Sequence, residues 1–271
     1  MNDRPSRTAE VVCFMRAVET LRADGVLRDP FAAGFLDLPL RTLLRTPAAR
    51  LFLPTLSAYI AARHRCIDDA LLGALDGIEQ VVLLGAGYDS RAWRFADVLA
   101  ARPVFEVDHP ATQGRKLKRL AGLPAGSVRR VPIDFQTQAI ADVLAAAGFE
   151  QGRPTFFVWE GVSMYLRRDA VRGTLDTLRA LGGPGSKLAM DFWFFTDDPS
   201  AVATAQRGVA NLLSLVGEPI TFALHPADAP DWLTGLGWRV TDVADAETLR
   251  RRYLGARVPW PDNYVVVADR I

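Results

Sequence analysis

The strongest constraint on this chain is a series of short apolar runs, regularly interrupted by helix-length segments, that begins at residue 80. The runs are QVVLLGAG (80–87), PVFEVDH (103–109), SVRRVPIDF (127–135), PTFFVWEG (154–161), SKLAMDFW (186–193), WRVTDV (238–243) and NYVVVADRI (263–271). Helical patterns lie near 91–100, 110–121, 136–148 and 168–181. Continuous apolar runs suit strands covered on both faces. Their alternation with helices predicts an α/β fold with a doubly wound, mostly parallel sheet. No long helical pattern fits between Val243 and Asn263, where RRYLGARVPWPD reads as a proline-rich loop. A crossover needs a dozen or more residues, usually helical, so the last strand is expected to be antiparallel.

Upstream, residues 1–75 read as a helical N-terminal cap, with helical stretches over 8–22 and 46–75 punctuated by Pro30, Pro39, Pro47 and Pro54. Residues 76–271 then form the sheet domain. An insertion over about 194–230, with its own helix near 200–216, follows the fifth strand and can act with the cap as a lid. The formal net charge of +1 provides no field that would favour nucleic acid or an anionic membrane. No apolar run approaches the ~20 residues of a membrane helix, and the N-terminus MNDRPSRTAE has no signal core. Cys13 and Cys66 form no CxxC pair or metal cluster and read as small buried thiols. A cytoplasmic protein acting on a small molecule, without metal, is expected.

Ligands of doubly wound sheets bind beyond the carboxyl ends of the strands. The first run closes with Gly85-Ala86-Gly87, a turn that lets backbone approach a ligand closely. The second closes with Asp108, whose two oxygens can accept both hydroxyls of a ribose. Glu106 lies on the same side but deeper. The third closes with Asp134 and Phe135, which suit an adenine amine and ring, and the fourth with Glu160, which suits an ammonium or sulfonium. Three acids in register behind a glycine turn point to a nucleoside cofactor. The first loop, VVLLGAGYDSR, lacks the third glycine of a dinucleotide fingerprint and the Gly-Lys-Ser/Thr of a phosphate loop. No tyrosine is followed four residues later by lysine, as a common hydride-transfer pair would require. S-adenosylmethionine has no diphosphate, so that third glycine is less necessary; a nicotinamide-dependent oxidoreductase is the more distant alternative. Asp89 and Arg91 have no assigned role, beyond capping the next helix or tying the loop to the cap.

Six segments occur in order: SRTAEVVCFMRAVETL with LRDPFAAGFL, YIAARHRCIDD, VVLLGAGYDSRAWRF, FEVDHP, IDF and WEGVSMYL. Together they resemble the leucine carboxyl methyltransferase family, in particular its bacterial branch with the tetracenomycin-type polyketide carboxyl O-methyltransferases. The likeness covers roughly the first 170 residues. It implies a class I methyltransferase, with a Rossmann-like seven-stranded sheet, that uses S-adenosylmethionine. It also implies that Arg63 meets the methionine carboxylate and that the loop at Gly85, Ala86 and Gly87 contacts methionine and ribose. Asp108 would hold the ribose, Asp134 and Phe135 the adenine, and Glu160 the methionine end. The family's lysine in the N-terminal helix has no clear match; Arg16 is the nearest basic residue. Arg63 has a second reading, as an ion pair with Asp68 or Asp69.

A carboxylate acceptor is already ionised at neutral pH, whereas an alcohol or phenol usually needs a general base. His64, His109 and His225 show no base-plus-orienter pattern, which favours a carboxylate of a small aromatic or polyketide-like acceptor over a hydroxyl. A protein substrate is not expected. Tyr165, Arg65 and His109 are candidates to position the acceptor, as are Arg91 and Arg207, and Trp193, Phe194 and Phe195 could wall its pocket.

Overall fold

The computed structural model describes residues 7–121, 128–196 and 218–271, with four single positions between 208 and 214. The helix expected near 200–216, and Arg207 with it, falls largely outside the described residues. The cap comprises α1 (Arg7–Thr20), α2 (Ala32–Phe35), α3 (Leu38–Leu44) and α4 (Pro54–Ala74). The helix expected over 46–75 is divided: a 3₁₀ turn at Pro47–Leu51 precedes a left-handed Leu53 (φ 40°), and α4 starts at Pro54. Proline is well placed there, since the first helical position needs no backbone donor.

The sheet domain follows as β1 (Gln80–Leu84), α5 (Arg91–Arg94), α6 (Ala96–Leu99), β2 (Val104–Asp108), α7 (Pro110–Arg119), β3 (Val128–Pro132), α8 (Ile140–Ala146), β4 (Thr155–Trp159) and α9 (Arg168–Leu181). It ends with β5 (Lys187–Trp193), α10 (Ala229–Thr234), β6 (Trp238–Ala244), α11 (Ala246–Leu249) and β7 (Asn263–Arg270). The helix expected over 91–100 is two short ones. The segment after Val243 is helical in part, through α11 and a wide turn at Arg250–Leu254, rather than loop throughout.

The seven strands lie in the order β3-β2-β1-β4-β5-β7-β6, with β7 antiparallel to both of its neighbours. Side chains alternate across the sheet. Val81 and Leu83 join the cluster beneath α1, α4, α5 and α6, while Val82 and Leu84 join the cluster beneath α8, α9 and α10. Both faces of β1 are therefore buried, which is why its sequence reads as unbroken apolar residues. β3 is an edge strand with alternating exposure, and its Pro132 is tolerated for that reason. The carboxyl ends of β1, β2, β3 and β4 open on the side where α4 and the start of α1 lie, and this places the site.

Candidate functional site

The loop after β1 is shaped by its glycines. Gly85 (φ 67°) and Gly87 (φ 45°) are left-handed, and a Cβ on Gly85 would sit 2.5 Å from Val162 Cγ2. A Cβ on Gly87 would stand 3.6 Å from Ala9 Cβ, so α1 roofs the loop. Asp108, at the end of β2, accepts hydrogen bonds from the backbone N–H groups of Gly87 and of His109 (2.5 Å). Burial pushes its carboxyl up, against the pull of those two donors. Asp134 follows β3 and accepts from Gln136 N–H at 2.9 Å; that bond holds its carboxyl below the ordinary range. Phe135 beside it is 40% exposed, a large ring with an open face.

Behind the loop lies a buried ionic network. Arg63 donates from Nε to Glu160 Oε1 (2.8 Å) and from Nη1 to Asp191 Oδ2 (2.9 Å). Asp191 Oδ1 accepts from Gly161 N–H at 2.6 Å, and burial pushes its carboxyl up. Arg91, fully buried, donates to Asp68 (2.7 Å) and to Asp89 (2.5 Å), and lies 2.8 Å from Glu160 Oε2. Arg94 binds Asp68 with both terminal nitrogens, at 2.6 and 3.0 Å. Arg16 pairs with Asp29 at 3.0 Å and donates to Tyr88 O at 2.5 Å. Burial by itself would raise Glu160, but its pairing with His64 and the charges of Arg91 and Arg63 hold it well below the usual range. The same contest, decided mainly by Arg91, keeps Asp89 low.

His64 lies inside this network. Its Nε2 faces Arg94 (2.9 Å) and Arg16 (3.4 Å), and its Nδ1 faces Glu160 (3.0 Å). Arginine only donates, so Nε2 accepts from Arg94, while Nδ1 lies between the acceptor Glu160 and a further donor, Arg91 Nη2, at 3.0 Å. Burial, then the Arg91 charge, lower the imidazole below its usual range, which favours a neutral ring.

The structure thus brings together Arg63, the Gly85-Ala86-Gly87 loop, Asp108 and Glu160, with Asp134 and Phe135 beyond the end of β3. Tyr165 is half-buried just after β4; burial and the nearby Glu218 raise its phenol, and Arg63 and Asp191 are also close enough to act on it. Arg65 is not brought in. It is exposed, bonded to Asp69 (2.7 Å) and stacked over Tyr253. His109 caps α7, its Nδ1 accepting from Ala111 N–H. Arg91 is consumed by three carboxylates and by His64, so it is not free to meet a methyl acceptor. The alternative pairing of Arg63 with Asp68 or Asp69 does not occur, since those acids serve Arg91, Arg94 and Arg65. Asp191 went unnoticed in the sequence. The available signal was a lone acid in the apolar run AMDFW, since a buried strand tolerates a carboxylate only when it is paired.

Among the described residues no cluster of three or more acidic, histidine or cysteine side chains suits a metal, and no helix is long and apolar enough to cross a membrane.

The sequence profile of the family described as leucine carboxyl methyltransferase matches residues 9–179. Two relatives are described as putative S-adenosyl-L-methionine-dependent methyltransferases. One, from Mycobacterium avium (strain 104), is 34% identical over 272 residues, covering 93% of this chain and 84% of its own. The other, from Streptomyces coelicolor, is 33% identical over 290 residues, covering 97% and 92%. Among solved structures, a putative methyltransferase from Thermobifida fusca YX superposes with a TM-score of 0.60 at 17% identity, covering 99% of this chain and 96% of that one. Magnesium protoporphyrin IX methyltransferase from Synechocystis PCC 6803, with bound S-adenosylhomocysteine, gives 0.51 at 14% identity, covering 79% and 86%. These two likenesses carry the fold.

Proposed function

This chain belongs to the leucine carboxyl methyltransferase family and is an S-adenosylmethionine-dependent methyltransferase, and on that premise we propose that it methylates a carboxylate oxygen of a small aromatic or polyketide-like acceptor, giving a methyl ester. The observation that carries this reading is the engagement of the histidines. His64 is neutral and locked between arginines and Glu160. His109 caps a helix, and His225 accepts from Ala227 N–H while packing on Phe194. A hydroxyl acceptor usually calls for a general base, most often a histidine, to remove its proton; a carboxylate calls for none.

The described residues fit the cofactor by their own chemistry. Asp108 keeps a half-buried carboxylate facing the glycine loop, suited to the two ribose hydroxyls. Asp134 would accept the adenine amine, with the exposed face of Phe135 beside the ring. Arg63, oriented by Glu160 and Asp191, would hold the methionine carboxylate, and Glu160 would face the methionine ammonium. When bound, the cofactor supplies an electrophilic methyl group on a sulfonium. The protein's task is then to orient the acceptor oxygen in line with that methyl and to exclude water. Tyr165 would donate to the acceptor, and Trp193 and Phe194, at the end of β5, would wall its pocket.

The test uses methyl-labelled S-adenosylmethionine and a panel of aromatic acids, each paired with the phenol of the same ring system. Label should pass to the acids and be released as methanol in mild alkali. Label transferred to the phenols, and stable to alkali, would replace the carboxylate reading with a hydroxyl-directed one.

A further inference from the structure

Tyr59 lies on α4, one turn before Arg63, and is 1% exposed. Its buried hydroxyl meets no acceptor among the described residues; the side chain that engages it by hydrogen bonding is the Arg63 guanidinium, which can only donate. The neighbourhood is well defined. The Arg63 guanidinium carbon lies 5.6 Å from the Tyr59 ring centre. Burial and then the Asp191 charge raise the phenol well above its ordinary range, so it is a neutral O–H. Neither Asp191 oxygen is vacant, since one takes Arg63 and the other Gly161 N–H. Arg63 spends Nε on Glu160 and Nη1 on Asp191. Its Nη2 points toward Gly161, where a Cβ would be only 3.4 Å away, and that glycine is itself left-handed (φ 71°). Two donors, an O–H and an N–H, therefore stand side by side without an acceptor. A buried hydroxyl left without an acceptor is costly, and a ligand that brings the acceptor recovers that loss.

We infer that Tyr59 and Arg63 form a two-donor clamp for the carboxylate of the cofactor's methionine, with Tyr59 Oη–H donating to one oxygen and Arg63 Nη2–H to the other. The inference rests on the reading of the cofactor site given above and adds Tyr59 to it. The residues are four apart on one helix, so they share a face. Glu160 and Asp191 fix the guanidinium plane, which leaves its outer edge to the ligand. An ammonium would be repelled by the Arg63 charge at this pair, whereas a carboxylate is matched by both donors.

The test compares Tyr59→Phe, Arg63→Gln and the unaltered protein by calorimetry with S-adenosylhomocysteine and with 5′-methylthioadenosine, which lacks the amino-acid end. Tyr59→Phe should raise Kd for S-adenosylhomocysteine at least tenfold and leave Kd for methylthioadenosine within twofold. The ligand-free variant should keep its Tm or gain slightly, because the deleted hydroxyl has no acceptor to lose. Unchanged S-adenosylhomocysteine binding, equal weakening of both ligands, or a marked fall in ligand-free Tm would each overturn the inference. Arg63→Gln separates the two levels. If it weakens S-adenosylhomocysteine selectively while Tyr59→Phe does not, the cofactor-site reading stands and the Tyr59 role falls. If neither ligand distinguishes it from the unaltered protein, Arg63 does not meet the methionine carboxylate, and the reading falls as well.

Discussion

Replacing Arg91 by methionine keeps most of the side-chain volume and removes a cation held by three carboxylates. The losses are unequal. Asp68 retains both bonds to Arg94, and Glu160 retains Arg63 and His64. Asp89 retains the backbone N–H of residue 91, at 2.7 Å in the parent, and loses its close guanidinium partner. The cost is therefore close to that of one buried charge stripped of its partner, about 3–5 kcal/mol. At about 2–4 °C per kcal/mol for a domain of somewhat smaller size, Tm should fall by roughly 10 °C. Titration gives the sharper signature. In the parent, Asp89 titrates below its unfolded value of about 3.9, so its contribution is present at neutral pH and lost as pH falls through the acid range. In the variant, burial without the guanidinium raises Asp89, and protonation relieves the penalty. Urea unfolding at pH 7 and at pH 4.5 should show the gap between parent and variant narrowing toward acid. Adding Asp89→Asn should recover part of the loss, since the two sites are coupled. A cost under about 1 kcal/mol at pH 7, or a gap indifferent to pH, would refute the assignment of Arg91 as the counter-ion of Asp89.

Two further outcomes follow from the loop. Asp108→Asn keeps the shape and deletes the charge, so S-adenosylhomocysteine should bind ten- to a hundredfold more weakly, in line with about 1.5–3 kcal/mol for a charged hydrogen bond; calorimetry at fixed salt reads this. Gly85→Ala should destabilise by about 1–3 kcal/mol, from its left-handed backbone and the 2.5 Å approach to Val162 Cγ2. Adding Val162→Ala should relieve the contact in thermal melts and leave the backbone part of the loss.

What could be read from the sequence was whatever is local in the chain. The seven strands are each a compact apolar run, and the acids that close them stand beside those runs, so Asp108, Asp134 and Glu160 were visible as a set. The ionic network was not. Arg91 meets Asp68 on α4 and Glu160 after β4, far away in sequence, and only the fold brings them together. For that reason Asp89 and Arg91 had no role until the packing of α4 against the loop was known. The choice of Arg65 beside Arg63 was avoidable from sequence. Helical residues two apart point in nearly opposite directions, so when Arg63 faces the sheet Arg65 faces solvent. The break within 91–100 follows from packing too: Trp93 lies against the cap cluster while α6 restarts at Ala96.

The network also limits how such enzymes can be recombined. Arg16 comes from α1, Arg63, His64 and Asp68 from α4, Asp89, Arg91 and Arg94 from the first loop and helix of the sheet, Glu160 from just after β4 and Asp191 from β5. Cap and sheet are thus stitched by charges that have no meaning apart. A chimera that grafts the cap of one relative onto the sheet of another must carry matching arginines and acids across the seam, or strand ions in a dry interior. Acceptor preference is more readily diversified beyond this seam, where a substitution leaves the polar core intact.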